Sequence, residues 1–408
     1  MNAECSSLTA NRTSPWLPIW AGLCASLVGI GLARFAYTPL VSALIDAHWF
    51  SPTAVVYLGA ANLAGYLIGA LGGRPLAARW SSTGVLRAMM VLVALSFFAC
   101  AVPLSMAWFF GWRLLSGIAG GVIMVLAASA ILPHVAPNRR GLASGAIFLG
   151  VGLGIAGSGS LVPFLLSFGL SQAWLGLGGV ALLLTATSWF GWPQESPHAP
   201  ASSSAADVRG SAGLYVLFAQ YALMAAGLVA PMMFLVDYVS RGLGAGSHSG
   251  ALIWTLYGVG AIAGPVVYGF LADHWGARSA IRLVLLAQAG ALAVLATVAD
   301  LRLLAVAALV IGSFPPGIVP LALARVHQLV ADHHRQNATW SRATVSFASF
   351  QALAGYAYSA LFSASHGQYA LLFSVAMGAI GLALALDLLL VFKEIFRPST
   401  GADVAPEA

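Results

Sequence analysis

The stretch Gly269-Phe-Leu-Ala-Asp273-His-Trp-Gly276-Ala-Arg278 is a short polar interruption between two long apolar runs, 249–272 and 279–299. Each run is long enough to cross a bilayer as a helix, which takes about 20 residues. The turn between them therefore sits at a membrane surface. Its glycines let helices approach closely, Asp273 can cap or pair, and Arg278 stays on the aqueous side.

The same alternation continues in both directions. Apolar runs occupy 16–45, 52–78, 84–103, 106–132, 140–167 and 172–192, then 213–238, 249–272, 279–299, 302–325, 338–364 and 368–392. Composition demands the same solvent: 60% of the 408 residues are hydrophobic and only 7% are charged. A soluble domain carries roughly 25% charged residues, because its surface must face water. The 45 glycines are costly in soluble helices but common where membrane helices pack. The reading is an all-α integral membrane protein with twelve transmembrane helices.

The longest polar break, Pro193 to Gly213, includes a Ser/Ala/Pro run and has linker composition. The organisation is then a cytoplasmic N-terminus (1–15), a six-helix bundle (16–192), a cytoplasmic linker (193–212), a second six-helix bundle (213–392) and a cytoplasmic tail (393–408). Residues 1–15 are polar, and the run after them is too long for a cleaved signal peptide and has no A-x-A site.

Orientation follows from the 18 lysines and arginines. With the N-terminus inside, the inner segments hold Arg12, Arg74, Arg79, Arg87, Arg139, Arg140, Arg209, Arg278, Arg282, Arg325, Arg335, Arg342, Lys393 and Arg397. The outer loops hold only Arg241 and Arg302, while Arg34 and Arg113 fall inside spans. The positive-inside rule places both termini in the cytoplasm. The +6 net charge is thus explained by topology, with no need for nucleic acid.

Three motifs carry a family resemblance. Gly269 to Arg278 resembles the cytoplasmic loop signature of the major facilitator superfamily. Arg113-x-x-x-Gly117-x-x-x-Gly121, on one face of the fourth helix, is similar to a second signature of that superfamily. Gly29-Ile-Gly-Leu-Ala-Arg34-Phe-Ala-Tyr37-Thr-Pro39 looks like the opening of its YbfB/YjiJ-type group, as does Trp340-Ser-Arg-Ala-Thr344 with Phe347 and Gln351. The resemblance spans nearly the whole chain. It implies two pseudo-symmetric bundles, with helices 1, 4, 7 and 10 lining a central cavity. Two departures stand out. Gly69-Ala-Leu-Gly-Gly73-Arg74 lacks the loop Asp, so a gate built on that carboxylate rests on Asp273 with Arg278. Gly150-Val-Gly-Leu-Gly154-Ile155-Ala-Gly157 has Ile155 where the antiporter pattern has Pro.

Arg34 and Arg113 are the informative side chains. A charge at the bilayer centre costs on the order of 2.5–3.5 kcal/mol, so each must face a cavity or a partner. As ligands they match carboxylate or phosphate with a planar fork. As structural groups they bond to carbonyls and hold the bundle together. Tyr37, Gln220, Tyr221, Ser313 and Gln351 complete the candidate substrate-binding set, and Gly117, Gly121, Asp273 and Arg278 the gating and structural set. Pro315 and Pro316 remove two amide donors near the middle of the tenth helix, which either marks a binding site or shapes a kink. Asn62 and Tyr66 read as interhelical hydrogen-bonding groups. Asp46 and Asp237 end the first and seventh helices on the outer side and are the candidates for proton coupling. Asp387, six residues before Lys393, is placed at the inner interface.

These residues suggest a secondary transporter of a small organic anion in the cell inner membrane, coupled to a proton or a counter-anion and monomeric. The alternatives are an exporter of apolar or cationic compounds and a non-transporting receptor. The chain has no nucleophile–base pair and no cofactor loop: Gly152-Leu-Gly154-Ile-Ala-Gly157 matches GxGxxG but lies inside an apolar helix. His327, His333 and His334 lack metal-site spacing. Neither an enzyme nor a metal or other cofactor is expected.

Overall fold

The structure, a computed structural model, describes residues 16–136, 140–193, 212–330 and 332–395. The N-terminal segment 1–15, residues 137–139, most of the linker (194–211), residue 331 and the tail from 396 lie outside the described residues, and with them Arg12, Arg139, Arg209 and Arg397.

Among the described residues twelve long helices form: α1 (Trp16–Asp46), α2 (Pro52–Arg79), α3 (Ser82–Cys100), α4 (Met106–Ile131), α5 (Arg140–Leu166), α6 (Leu170–Ser188), α7 (Ala212–Asp237), α8 (Gly246–Trp275), α9 (Ala277–Thr297), α10 (Leu301–Leu329), α11 (His333–Ala364) and α12 (Tyr369–Ile395). Eleven are apolar enough to cross a membrane. The twelfth, α11, is ample in length at 32 residues but opens on the polar run His333-His-Arg335-Gln336.

Local chemistry sets the ends. Ser51, Ser81 and Ser105 accept the amides of Ala54, Gly84 and Trp108 at 3.3, 2.9 and 3.1 Å, and Asp300 accepts those of Arg302 and Leu303. These caps satisfy amides that the first helical turn leaves open. Between α8 and α9 the chain turns at Gly276 with φ of +77°, a conformation that disfavours any side chain.

α1 is not uniform. It widens into π-helix over Leu27–Phe35 and returns to α-helix at Tyr37–Asp46. α7 likewise continues into a π turn, Tyr238–Gly242. Such widenings recur at functional positions.

The packing repeats between halves. α2 packs on α4, α1 on α5 and α3 on α6; α8 packs on α10, α7 on α11 and α9 on α12 in the same way. Glycine makes the tightest pair possible in each half. A methyl on Gly65, Gly117 or Gly121 would run into the carbonyls of Leu114, Asn62 or Tyr66, and one on Gly260 or Gly312 into those of Leu309 or Tyr257. With lipid as solvent no hydrophobic gain drives helices together, so close backbone contact is the main attraction. The bundles meet through α5 against α8, α2 against α11 and α1 against α7.

Candidate functional site

Three helices of the first bundle and one of the second line a narrow cleft between them. α1 supplies Arg34, Tyr37, Thr38 and Val41, a spacing that puts all four on one face. α2 adds Val56, Gly59, Asn62 and Leu63, α4 adds Arg113, and α7 adds Met232 and Met233. The cavity therefore lies between the bundles.

Both intramembrane arginines reach it. Arg34 donates from Nη1 to Oε1 of Gln351 in α11 at 3.0 Å, and its guanidinium lies 4.1 Å from the centre of the Tyr66 ring. Arg113 is 2% exposed, donates from Nη1 to the Ala33 carbonyl at 2.8 Å and lies 4.3 Å from the Tyr37 ring centre. The ring faces offset part of the cost of burying each charge. Tyr37 is itself fixed by donating to the Val55 carbonyl at 2.7 Å. Asn62 holds α4 in register by donating to the Arg113 carbonyl and to Ser116 Oγ. The buried Nε of Arg113 has no hydrogen-bond partner. No Asp or Glu is among the lining residues. Two cationic forks with donor capacity in hand thus face a mostly apolar space.

Other candidates face elsewhere. Gln220 donates to the Ala383 carbonyl of α12 at 2.9 Å, and Tyr221 packs its ring against Phe347 and Trp340 of α11. Ser313 shares a hydrogen bond with Tyr268 of α8 at 2.8 Å and donates to the Val310 carbonyl. The same carbonyl accepts Gln288 of α9 at 2.8 Å. α10 runs continuously through Pro315 and Pro316, and it contributes none of the cavity lining. Helices 1, 2, 4 and 7 line the cavity rather than 1, 4, 7 and 10, because the polar middle of α10 is turned toward α8 and α9. Gly117 and Gly121 lie in the α2–α4 contact that holds Asn62 beside Arg113.

Thr38, Val41, Val56, Gly59, Met232 and Met233 line the cavity without having stood out in the sequence. Helical spacing from Arg34 would have found Thr38 and Val41. The others are apolar residues in apolar helices and offer no contrast.

The arginine-poor ends of the bundles are tied together. Asp237, 1% exposed, forms an ion pair with Arg241 (Nε at 2.8 Å) and accepts hydrogen bonds from Ser42 Oγ of α1 at 3.1 Å and from the Tyr369 hydroxyl. Ser42 and Ser240 hydroxyls lie 2.8 Å apart, and Thr38 donates to the Met232 carbonyl at 2.7 Å. Asp46 is exposed, with Arg241 Nη1 at 3.9 Å. At the opposite ends, Arg278 and Arg282 of α9 both pair with Asp387 of α12, while Asp273 is exposed. Asp387 is 4% exposed, buried where α9 meets α12.

Two six-helix bundles of matching internal packing, with a cavity where they meet, define a multi-pass secondary transporter of the major facilitator superfamily. The family described as "Uncharacterised MFS-type transporter YbfB" matches residues 26–390, and the chain belongs to it. Membership makes the protein a secondary-active carrier of small solutes and not an enzyme. Among solved structures, that of the nucleoside transporter NupG (a point mutant) superposes with a TM-score of 0.71 at 14% identity, covering 92% of this chain and 99% of the other. At that identity the likeness speaks for the fold alone. A comparison with curated protein sequences finds no match.

Proposed function

We propose that the protein carries a small organic anion across the bacterial inner membrane by alternating access, with both termini in the cytoplasm. The observation that carries the reading is the pair of guanidinium groups in one cavity whose walls hold no carboxylate. A cation there would meet two like charges at close range in a poorly screened site. An anion supplies the acceptor that the Arg113 Nε lacks, and it replaces or adds to Gln351 at Arg34. Because Gln351 belongs to the second bundle, a ligand at Arg34 competes with a contact that joins the halves. Binding energy is thereby linked to the opening of the closed side, as a shift of populations requires.

The latch around Asp237 is the coupling candidate best supported by geometry, since one carboxylate receives groups from both bundles. Asp46 enters only through its 3.9 Å approach to Arg241. The exporter alternative draws on Val41, Val56, Leu63, Met232 and Met233 in the walls, but it leaves the two arginines without a role toward the cargo.

The test is thermal unfolding of the purified protein against panels of organic anions, neutral solutes and lipophilic cations. A ligand at about a hundredfold excess over Kd adds about 2.7 kcal/mol to the folded state. Anions are expected to stabilise, and Arg34→Ala to weaken that effect by about 2–5 kcal/mol of binding energy, the cost of truncating one partner of a buried charge pair. Stabilisation by cations or neutral compounds alone would transfer the arginines to a structural role.

A further inference from the structure

We infer that the cavity takes a small amphipathic monoanion, with its acidic head on the forks of Arg34 and Arg113 and a short apolar tail over Gly59. Gly59 and Met233 together set the length of that tail. The inference rests on the anion reading and narrows it to one chemical class.

The charge in the lining comes from Arg34 and Arg113 alone. Arg34 and Arg113 each have one face covered by a tyrosine ring, which leaves the N–H edges in the guanidinium plane to meet a ligand. A carboxylate matches such an edge with two parallel hydrogen bonds. The three neutral polar side chains in the lining are already engaged, Tyr37 through its bond to the Val55 carbonyl. Thr38 spends its hydroxyl proton on the Met232 carbonyl, and the Asn62 amide donates to the Arg113 carbonyl and Ser116. The remaining walls are Val41, Val56, Leu63, Met232 and Met233. A second carboxylate on the ligand would be desolvated among these groups with no donor to meet it, which excludes dianions. A tail of a few methylenes finds what it needs there, and the unbranched methionine side chains can adapt to it.

Gly59 is where the tail length is decided. A methyl at this position would sit 3.1 Å from Cε of Met233 and 3.5 Å from Cε1 of Tyr37. With no side chain here, the wall from α2 meets the wall from α7 only through the flexible end of Met233, directly beside the ring that braces Arg113, and a tail passes by displacing that end. The nearest atom is the free end of a flexible side chain, so alanine fits there with a small shift of Met233. The extra methyl reduces the space without touching either guanidinium. Met233→Ala acts in the opposite sense, because it removes the side chain on the far side of the same space.

The experiment uses purified full-length protein and thermal stabilisation by straight-chain monocarboxylates from acetate to octanoate. Dicarboxylates of the same lengths and the corresponding primary amides serve as controls. Monocarboxylates are expected to stabilise with an optimum in chain length, and dicarboxylates and amides to do so far less. Gly59→Ala should move the optimum to shorter acids and weaken those that overrun it about tenfold or more per methylene, while Met233→Ala should move it to longer ones. Stronger stabilisation by dicarboxylates, or an optimum unmoved in both variants, overturns the inference while leaving the anion reading intact. If no anion stabilises the protein and Arg34→Ala changes nothing, it is the anion reading itself that fails. The unmodified protein alone decides between one acidic group and two, should either variant fold poorly.

Discussion

Asp387 illustrates how a single side chain can change what a motif means. The loop Gly269 to Arg278 carries its own carboxylate, Asp273, yet that group is exposed, and Arg278 and Arg282 turn instead to Asp387 in α12. The pairing fastens α9 to α12 on the arginine-rich side. Asp387→Asn removes, from a nearly buried position, the carboxylate charge that Arg278 and Arg282 share. The arginine side chains remain 23% and 28% exposed and can rehydrate in part. We therefore expect a loss of about 2–3 kcal/mol, below the ~3–5 kcal/mol of a fully buried pair, seen as a lower unfolding midpoint in detergent. Asp273→Asn should cost no more than about 0.5 kcal/mol in the same assay, as for other exposed sites. Equal effects of the two substitutions would contradict the assignment. Legibility at this scale follows contrast. Arg34 and Arg113 stood out because a charge in an apolar run is costly. Gly59, Met232 and Met233 were hidden because nothing in an apolar helix distinguishes the face that borders a cavity. The partner of Arg34 is 317 residues away in sequence, and no local pattern announces such a pair.

The helices were legible as elements, because twenty apolar residues between polar breaks have few other uses in a chain so poor in charge. Their irregularities were not. The double proline of α10 suggested a break, but the helix continues, and Ser313 and Gln288 both donate to the Val310 carbonyl in the turn just before it. The π-helical widening of α1 over Leu27–Phe35 left no sequence signal beyond Pro39 downstream. It ends one residue beyond Arg34, whose bond to Gln351 ties α1 to α11. A hydrogen bond to a charged group contributes about 1.5–3 kcal/mol. Gln351→Leu should therefore shift the protein toward the state open at the arginine-poor end by roughly tenfold or more. The readout is labelling of a cysteine at position 363 by an impermeant maleimide, since Ser363 meets Thr53 across the bundles at 3.3 Å. A labelling rate unchanged by Gln351→Leu would mean that Arg34 does not help hold the halves together.

At the scale of the whole molecule the two halves, their six-plus-six division and the uneven arginine distribution could be read from sequence alone, because each follows from bilayer physics rather than from side-chain detail. Which end is closed could not, since closure depends on contacts between helices far apart in the chain. Hydrogen bonds between the bundles run from Arg34–Gln351 through Thr38–Met232 to Ser42–Asp237 and Ser42–Ser240, and Thr53–Ser363 lies beside them. The series starts at the cavity and leads toward the arginine-poor face. A carrier that works by alternating access must break this whole set once per cycle, because the cavity lies behind it. Ser42 and Ser240 offer a direct test, with hydroxyl oxygens 2.8 Å apart on helices of opposite bundles. Side chains that meet this closely satisfy the main distance requirement of a disulfide. In a Cys5→Ser background, where the other cysteines, Cys24 and Cys100, are buried, Ser42→Cys with Ser240→Cys should cross-link on mild oxidation. Transport in sealed vesicles should then stop and return on reduction, and each single cysteine variant should be indifferent to both treatments. Binding of an anion to the cross-linked protein should persist, since a site alternately exposed to two sides is reached from one when the other is shut. Transport that survives complete cross-linking would mean that these helix ends never separate, and the path of the solute would then have to avoid the α1–α7 seam altogether.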